Sequence, residues 1–164
     1  IMKLSRLDEG SEELSAERVD LYDLSQKILQ ELTPVAAKRG ISLHMEGGRQ
    51  TIQGVWRILH EMIYNLCDNA IKYNKDGGAV TVRVTEEEDQ VVVSVEDTGI
   101  GISEGQQDRV FERFYRVDKS HSRTGLGLSI VKHGAQYHNA QLSLDSEPGA
   151  GTTITLRFPK QSAA

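Results

Sequence analysis

Several things are scarce in this 164-residue chain, and each shortage narrows what it can be. Cysteine occurs once, at Cys67, which excludes a disulfide framework and fits a reducing compartment. Cys67 lies in an apolar helical stretch, where it reads as a small buried hydrophobe rather than a reactive thiol. The five histidines, His44, His60, His121, His133 and His138, show no zinc-ligand spacing. No apolar run approaches the roughly 18 residues of a membrane span, and no signal peptide is visible. Positive charge is in deficit: 19 Lys and Arg against 24 Asp and Glu give a net charge of -5. A global field that attracts phosphate backbones or anionic lipid is therefore missing, so neither nucleic acid nor a membrane surface is an expected partner. Any anionic ligand must be held by local donors. There are no internal repeats and no low-complexity tract.

What is present suits one domain with a short appendage. At 38% hydrophobic the chain can bury a core. IMKLSRLDEG reads as the last turns of a longer helix, since Ile1, Leu4 and Leu7 are spaced by three and Gly10 stops them. Because it opens on Ile1 rather than Met, the expectation is an excised piece. SEELSAE is a polar linker, and RVDL a short edge strand. Asp20 can cap a helix to about Arg39, ended by Gly40 and containing Pro34, a possible kink. ISLHME and TIQGV read as strands around the turn GGRQ, which predicts an antiparallel pair. A helix to about Tyr73, the turn NKDGG, the hairpin AVTVRVTEEE–QVVVSVED, a Gly-led helix GLGLSIVKHGAQYHNA and the hairpin AQLSLDSE–TTITLRFP complete the order. Three amphipathic helices over one face of a mixed, mostly antiparallel sheet make a two-layer α+β sandwich. The 27 residues from Thr98 to Thr124 contain no strand and only a short helical piece around QQDRVFERFY. A loop of that length is normally a lid or binding loop.

Two features point to a ligand. In HEMIYNLCDNAIKYN, residues 60–74, Val55, Leu59, Met62, Ile63, Leu66 and Ala70 share a core face. Glu61, Asn65, Asp68, Asn69 and Lys72 share another arc of roughly 100°. That polar arc fits either a solvated face or a binding wall. The second feature is three glycine clusters: DTGIGI at 97–102, TGLGL at 124–128 and GAGT at 149–152. Each alone also fits a tight turn; their order and setting together carry the weight. Asp97 ends a strand, and its carboxylate only accepts hydrogen bonds, so it selects a ligand edge with N–H donors such as an adenine amino group. Gly125 and Gly127 open a helix, whose free N–H groups bind phosphate. Lys72, Arg113, Arg116, Lys119 and Arg123 can add local positive charge. Asn65 offers a neutral carbonyl oxygen suited to Mg²⁺.

On these residues the chain resembles, from about 17 to 160, the catalytic ATP-binding domain of a bacterial two-component sensor histidine kinase, within the GHKL ATPase superfamily with its Bergerat fold. ExxxNLxxNAxKY from Glu61 to Tyr73 matches the N box, DTGIGI the G1 box, FERFYR at 111–116 the F box, TGLGLSIVKH the G2 box and GAGT the last glycine box. FERFYRVDKSHSR is similar to the wording of the phosphate-sensing and cell-wall-sensing kinases. The resemblance implies ATP and Mg²⁺ as ligands: Asn65 on Mg²⁺, Asn69 and Lys72 near the phosphates, and Tyr73 beside the adenine. Asp97 would read the adenine amino group, supported by Thr152, with Gly99, Gly101 and Ile102 shaping the pocket. Arg113 and Arg116 of the F box, Arg116 at the γ-phosphate, and Thr124, Gly125, Leu126, Gly127 and Leu128 of the G2 box would complete it. Val95, Ile100, Ile102, Leu126, Leu128 and Ile130 nevertheless read as packing residues first.

The implied domains are the end of a dimerisation helix and linker over 1–16 and the catalytic domain over 17–164. The implied activity is transfer of the ATP γ-phosphoryl group to a histidine on a dimerisation domain absent from this chain, for relay to a response regulator. Glu61 would orient a Mg²⁺-bound water, and Arg116 would act at the reacting phosphate. The parent would be membrane-anchored with this part cytoplasmic. Two departures stand out. The family wording ETGGTGLGL is here RTGLGL, so the lid is about four residues short: either it is natively shorter or residues are missing from the given chain, and the second is the expectation. No phosphoacceptor box is present: His60–Glu61 resembles its first pair, but MIYN follows and the pair opens the N box. The rival readings are a stand-alone anti-sigma-factor serine kinase, a chaperone- or topoisomerase-like ATPase, and a nucleotide-binding regulatory module without activity. The F box and the apolar stub oppose the first, the need for further domains the second, and intact Asp97, Asn65 and Gly127 the third.

Overall fold

A computed structural model describes residues 16–99, 124–147 and 149–160. Strand β1 (Glu17–Asp20) leads into helix α1 (Leu21–Ala37), followed by β2 (Ser42–Gly47), β3 (Thr51–Gly54) and helix α2 (Trp56–Lys72). Strands β4 (Ala79–Glu87) and β5 (Gln90–Asp97) follow; helix α3 (Thr124–Tyr137), β6 (Gln141–Glu147) and β7 (Gly151–Pro159) close the chain. The main sheet has the order β2-β4-β5-β7-β6, and β1 and β3 form a separate two-stranded sheet. The architecture is the predicted α+β sandwich. The helical stub at 1–10, the SEELSAE linker up to Ser15 and the helical piece around QQDRVFERFY lie outside the described residues.

Alternation in the strands builds the core. Val80, Val82 and Val84 of β4, Val91, Val93 and Val95 of β5, and Ile154, Leu156 and Phe158 of β7 are all buried beneath the helices. The opposite face is polar and laced by ion pairs such as Arg83 with Glu46 and Glu96 at 2.7 Å each. The α2 residues assigned to the core, Val55, Leu59, Met62, Ile63, Leu66 and Ala70, are buried, as are Cys67 and Ile71. Burial pushes the Cys67 thiol up to about 12, with the nearby Asp68 charge adding to it, so it packs as a hydrophobe.

The expected caps operate. Asp20 Oδ1 accepts from the N–H groups of Tyr22 at 3.0 Å and Asp23 at 3.1 Å. At the far end Gly40 N–H donates to Ala37 O and Ile41 N–H to Ala36 O, a Schellman closure. Helix α1 runs through Pro34 without interruption. Helix α3 stops at Tyr137, short of the predicted Ala140, because Asn139 adopts φ 57 and Ala140 N–H turns back to Ala135 O at 2.8 Å.

One strand pairing differs from expectation. ISLHME and TIQGV do not pair with each other: β2 runs parallel to β4, and β3 is antiparallel to β1. The 31 residues 48–78 between β2 and β4, including α2, supply the long crossover that parallel neighbours need. Meanwhile β3 leaves the main sheet to bury Ile52 across from Val19.

Candidate functional site

The site is built where the C-terminal ends of α2 and β5 meet. Helix α2 packs on β5, and Tyr73, directly after α2, lies against Gly99, two residues past the end of β5. Along that arc Glu61 is exposed, and Asn65, Asp68, Asn69 and Lys72 are half-buried. Asn65 Nδ2 donates to Glu61 O at 2.6 Å, so its Oδ1 is not used in that bond. Lys72 Nζ pairs with Asp68 at 3.0 Å one turn back, holding its charge on the arc. Asn69 Nδ2 is buried with no hydrogen-bond partner. An amide donor in that state costs about 1–3 kcal/mol unless something supplies an acceptor.

Asp97 ends β5 opposite Thr152 of β7. Its Oδ1 accepts from Gly99 N–H at 2.8 Å and Thr152 N–H at 3.2 Å. The second carboxylate oxygen remains for an N–H-bearing ligand edge. Burial pushes the carboxyl up to about 6; the two N–H donors pull the other way, and Glu96 adds a smaller upward push. Thr152 is buried, and its hydroxyl lies 2.8 Å from Ser146 Oγ. Two glycines allow the close approach: a Cβ on Gly99 would sit 2.3 Å from Tyr73 O, and one on Gly151 2.1 Å from Asp97 O.

Thus Tyr73, Asp97, Gly99 and Thr152 meet at one junction, and Asn65, Asn69 and Lys72 lie along the helix that ends there. Thr124, Gly125, Leu126, Gly127 and Leu128 form the first turns of α3, with only their backbone described, and α3 packs beside α2. Val95 is buried and Ile130 partly so, in keeping with packing roles. Ile100, Gly101, Ile102, Arg113, Arg116, Lys119 and Arg123 lie outside the described residues, as do the F box and the lid. His60 stacks between Trp56 and Tyr64, with ring centroids 5.0 and 5.8 Å away, and faces Glu31 at 3.5 Å. Among the described residues no cluster of three or more His, Cys, Asp or Glu can hold a metal, and no helix is long and apolar enough to cross a membrane.

Asn74 and Arg39 carried no sequence signal beyond a turn, and Thr98 stood out only as part of DTGIGI. Asn74, 4% exposed, donates to Ala79 O at 2.9 Å and accepts from Lys75 N–H and from Thr98 Oγ1 at 3.1 Å. Thr98 Oγ1 in turn accepts from Ala79 N–H at 3.0 Å. Arg39 reaches the carbonyls at the end of α2 from the end of α1. The only hint was a polar residue directly after the Lys72–Tyr73 pair.

The donor set fits a magnesium nucleotide. It offers an unpartnered amide donor and a lysine for phosphate oxygens, a neutral carbonyl oxygen for a hard cation, and a half-buried carboxylate for an amino group. A family model for histidine kinase-, DNA gyrase B- and HSP90-like ATPases matches residues 54–162. The sensor-like histidine kinase SenX3 of Mycolicibacterium smegmatis is 38% identical over 98% of this chain and 43% of its own length. The sensor histidine kinase WalK of Bacillus subtilis is 46% identical over 60% of this chain and 17% of its own. The chain spans less than half the length of these curated relatives. Among solved structures, the mycobacterial sensor histidine kinase MprB superposes with a TM-score of 0.79 at 28% identity, covering 88% of this chain and 97% of that one. Full-length ShkA in complex with AMPPNP gives 0.81 at 28% identity over 93% of this chain and 32% of that one.

Proposed function

This chain belongs to the histidine kinase-, DNA gyrase B- and HSP90-like ATPase family, and on that premise we propose that it is the ATP-binding half of a two-component sensor kinase. It binds Mg·ATP and presents the γ-phosphoryl group to a histidine on a dimerisation domain outside this chain. The observation that carries the reading is Asp97, half-buried and tied by Gly99 and Thr152 beside a helix whose Asn69 donor lacks a partner among the described residues.

In this reading the free oxygen of Asp97 accepts the adenine amino group, and Gly99, Gly101 and Ile102 with Tyr73 enclose the base. Asn69 and Lys72 hold phosphate oxygens, and the N–H groups of Thr124, Gly125, Leu126, Gly127 and Leu128 at the start of α3 hold more. Asn65 Oδ1 would hold Mg²⁺, which would supply charge neutralisation at the phosphates, and Glu61 would orient a water beside it. Arg113 and Arg116 approach from the F box, Arg116 at the γ-phosphate. The acceptor imidazole nitrogen attacks phosphorus, the bond to the β-phosphate oxygen breaks, and ADP leaves. No side chain of this domain forms a covalent intermediate, so its contribution is positioning and charge.

Residues 1–16 continue a dimerisation helix and linker, and 17–164 are the catalytic unit. The phosphoryl group passes on to a response regulator. The parent is a membrane sensor with this part in the cytoplasm, of the phosphate- or cell-wall-sensing type by its FERFYRVDKSHSR wording. The test mixes the chain, Mg²⁺ and γ-labelled ATP with a separately made dimerisation domain. The expected result is acid-labile, base-stable label on that domain and slow hydrolysis at most without it. Label on serine, or none on an acceptor domain that a full-length kinase phosphorylates, would overturn the reading.

A further inference from the structure

We infer that Arg39, outside every matched motif and in the turn after α1, is a positioning residue that sets the adenine side of the nucleotide site. The inference rests on the nucleotide-binding reading above. Its guanidinium forks over the C-terminal end of α2: Nη1 donates to Ile71 O and, at 3.0 Å, to Lys72 O, and Nη2 donates to Asn74 O. Nε is held at 3.0 Å by Asp76, and Arg39 O accepts from Gly77 N–H at 2.9 Å. Four polar groups thus clamp one planar side chain. Helix ends leave such carbonyls without intrahelical partners, and a cation there also meets the negative end of the helix dipole.

The clamp continues to the base-reading carboxylate. Asn74, anchored by its carbonyl, receives Thr98 Oγ1 on its own side-chain oxygen at 3.1 Å. Thr98 precedes Gly99, whose N–H orients Asp97 Oδ1 at 2.8 Å. Gly99 also lies against Tyr73 O, where a Cβ would come within 2.3 Å. Gly78 is pressed on the same junction: a Cβ there would meet Asn74 Oδ1 at 2.2 Å and Thr98 Oγ1 at 2.7 Å. The position of Tyr73 and the aim of Asp97 are therefore set together, from α1, by a fork that a lysine cannot reproduce.

The Schellman turn puts Arg39 there. Gly40 and Ile41 close α1 on Ala37 and Ala36, which fixes the backbone of Arg39 one residue before the turn. Only an arginine at that point spans the gap to three carbonyls and keeps a planar face for Asp76.

The test compares binding of Mg·ATP and Mg·ITP by the wild-type chain, Arg39→Met, Arg39→Lys and the distant core variant Leu29→Ala, with melting temperatures alongside. ITP carries a carbonyl where ATP carries the amino group that Asp97 accepts. Arg39→Met is expected to lower the ATP-over-ITP preference by about tenfold, and Arg39→Lys by several-fold while keeping the fold. Leu29→Ala is expected to lose melting temperature with its preference intact. If Arg39→Lys and Arg39→Met keep the wild-type preference while the wild type binds ATP, the positioning role is overturned and the nucleotide reading stands. If the wild type itself binds no ATP, both fall.

Discussion

Asp97 is placed at odds with its own charge. Burial raises its pKa from 3.8 to about 6, so the folded apo chain resists ionising it. The sign follows from linkage: a raised folded-state pKa contributes stability that is full below about pH 4 and is lost as pH rises through about 6. Asp97→Asn is therefore expected to stabilise the apo chain at pH 7.5 by about 1–2 kcal/mol, after discounting for partial exposure, with the gain vanishing near pH 4. The same variant is expected to lose ATP affinity by an order of magnitude, since it replaces an acceptor with an amide. Chemical denaturation across pH, with nucleotide binding on the same samples, checks both. At this scale the sequence was legible where the residue type carries its chemistry: a lone strand-end carboxylate, or amides in helical register. Asn74, Thr98 and Arg39 were not, because most of their partners are backbone carbonyls and amides, and no side-chain pattern encodes those.

Elements meet through glycines and through one histidine. Gly99→Ala would thrust a methyl group into Tyr73 O. The expected outcome is a loss of about 1–3 kcal/mol of stability and a fall in nucleotide affinity beyond it, because the turn must leave the end of α2. An unchanged affinity by fluorescence or calorimetry would contradict that. His138 clamps α3 to the start of α2. Its Nε2 accepts Val55 N–H at 3.1 Å, at a helix start with no side-chain cap, and its Nδ1 faces Gly134 O at 2.9 Å. Burial lowers its pKa, so the clamp works with the neutral ring. A depressed pKa contributes stability present above the unfolded value near 6.5 and lost as pH falls below it. Relative to His138→Gln, the wild type is expected to lose urea resistance between pH 7 and 5; parallel curves would refute the clamp. Helices and hairpins were readable from period and caps. The β2–β4 and β1–β3 pairings were not, since GGRQ between two strands looks like a hairpin turn and only the crossover through α2 decides otherwise.

For the whole molecule, five short motifs in one order implied the layered fold, and the sheet order and helix layer agree with it. What motif order cannot convey is how α1, which carries no motif, reaches the end of α2 through Arg39. The proposed function stands on a magnesium adenine nucleotide whose amino group meets Asp97, and calorimetric titration of the intact chain with Mg·ATP and with Mg·ITP checks it. Saturable ATP binding with ITP at least about tenfold weaker is expected; equal affinity for the two, or no heat with ATP, would overturn it.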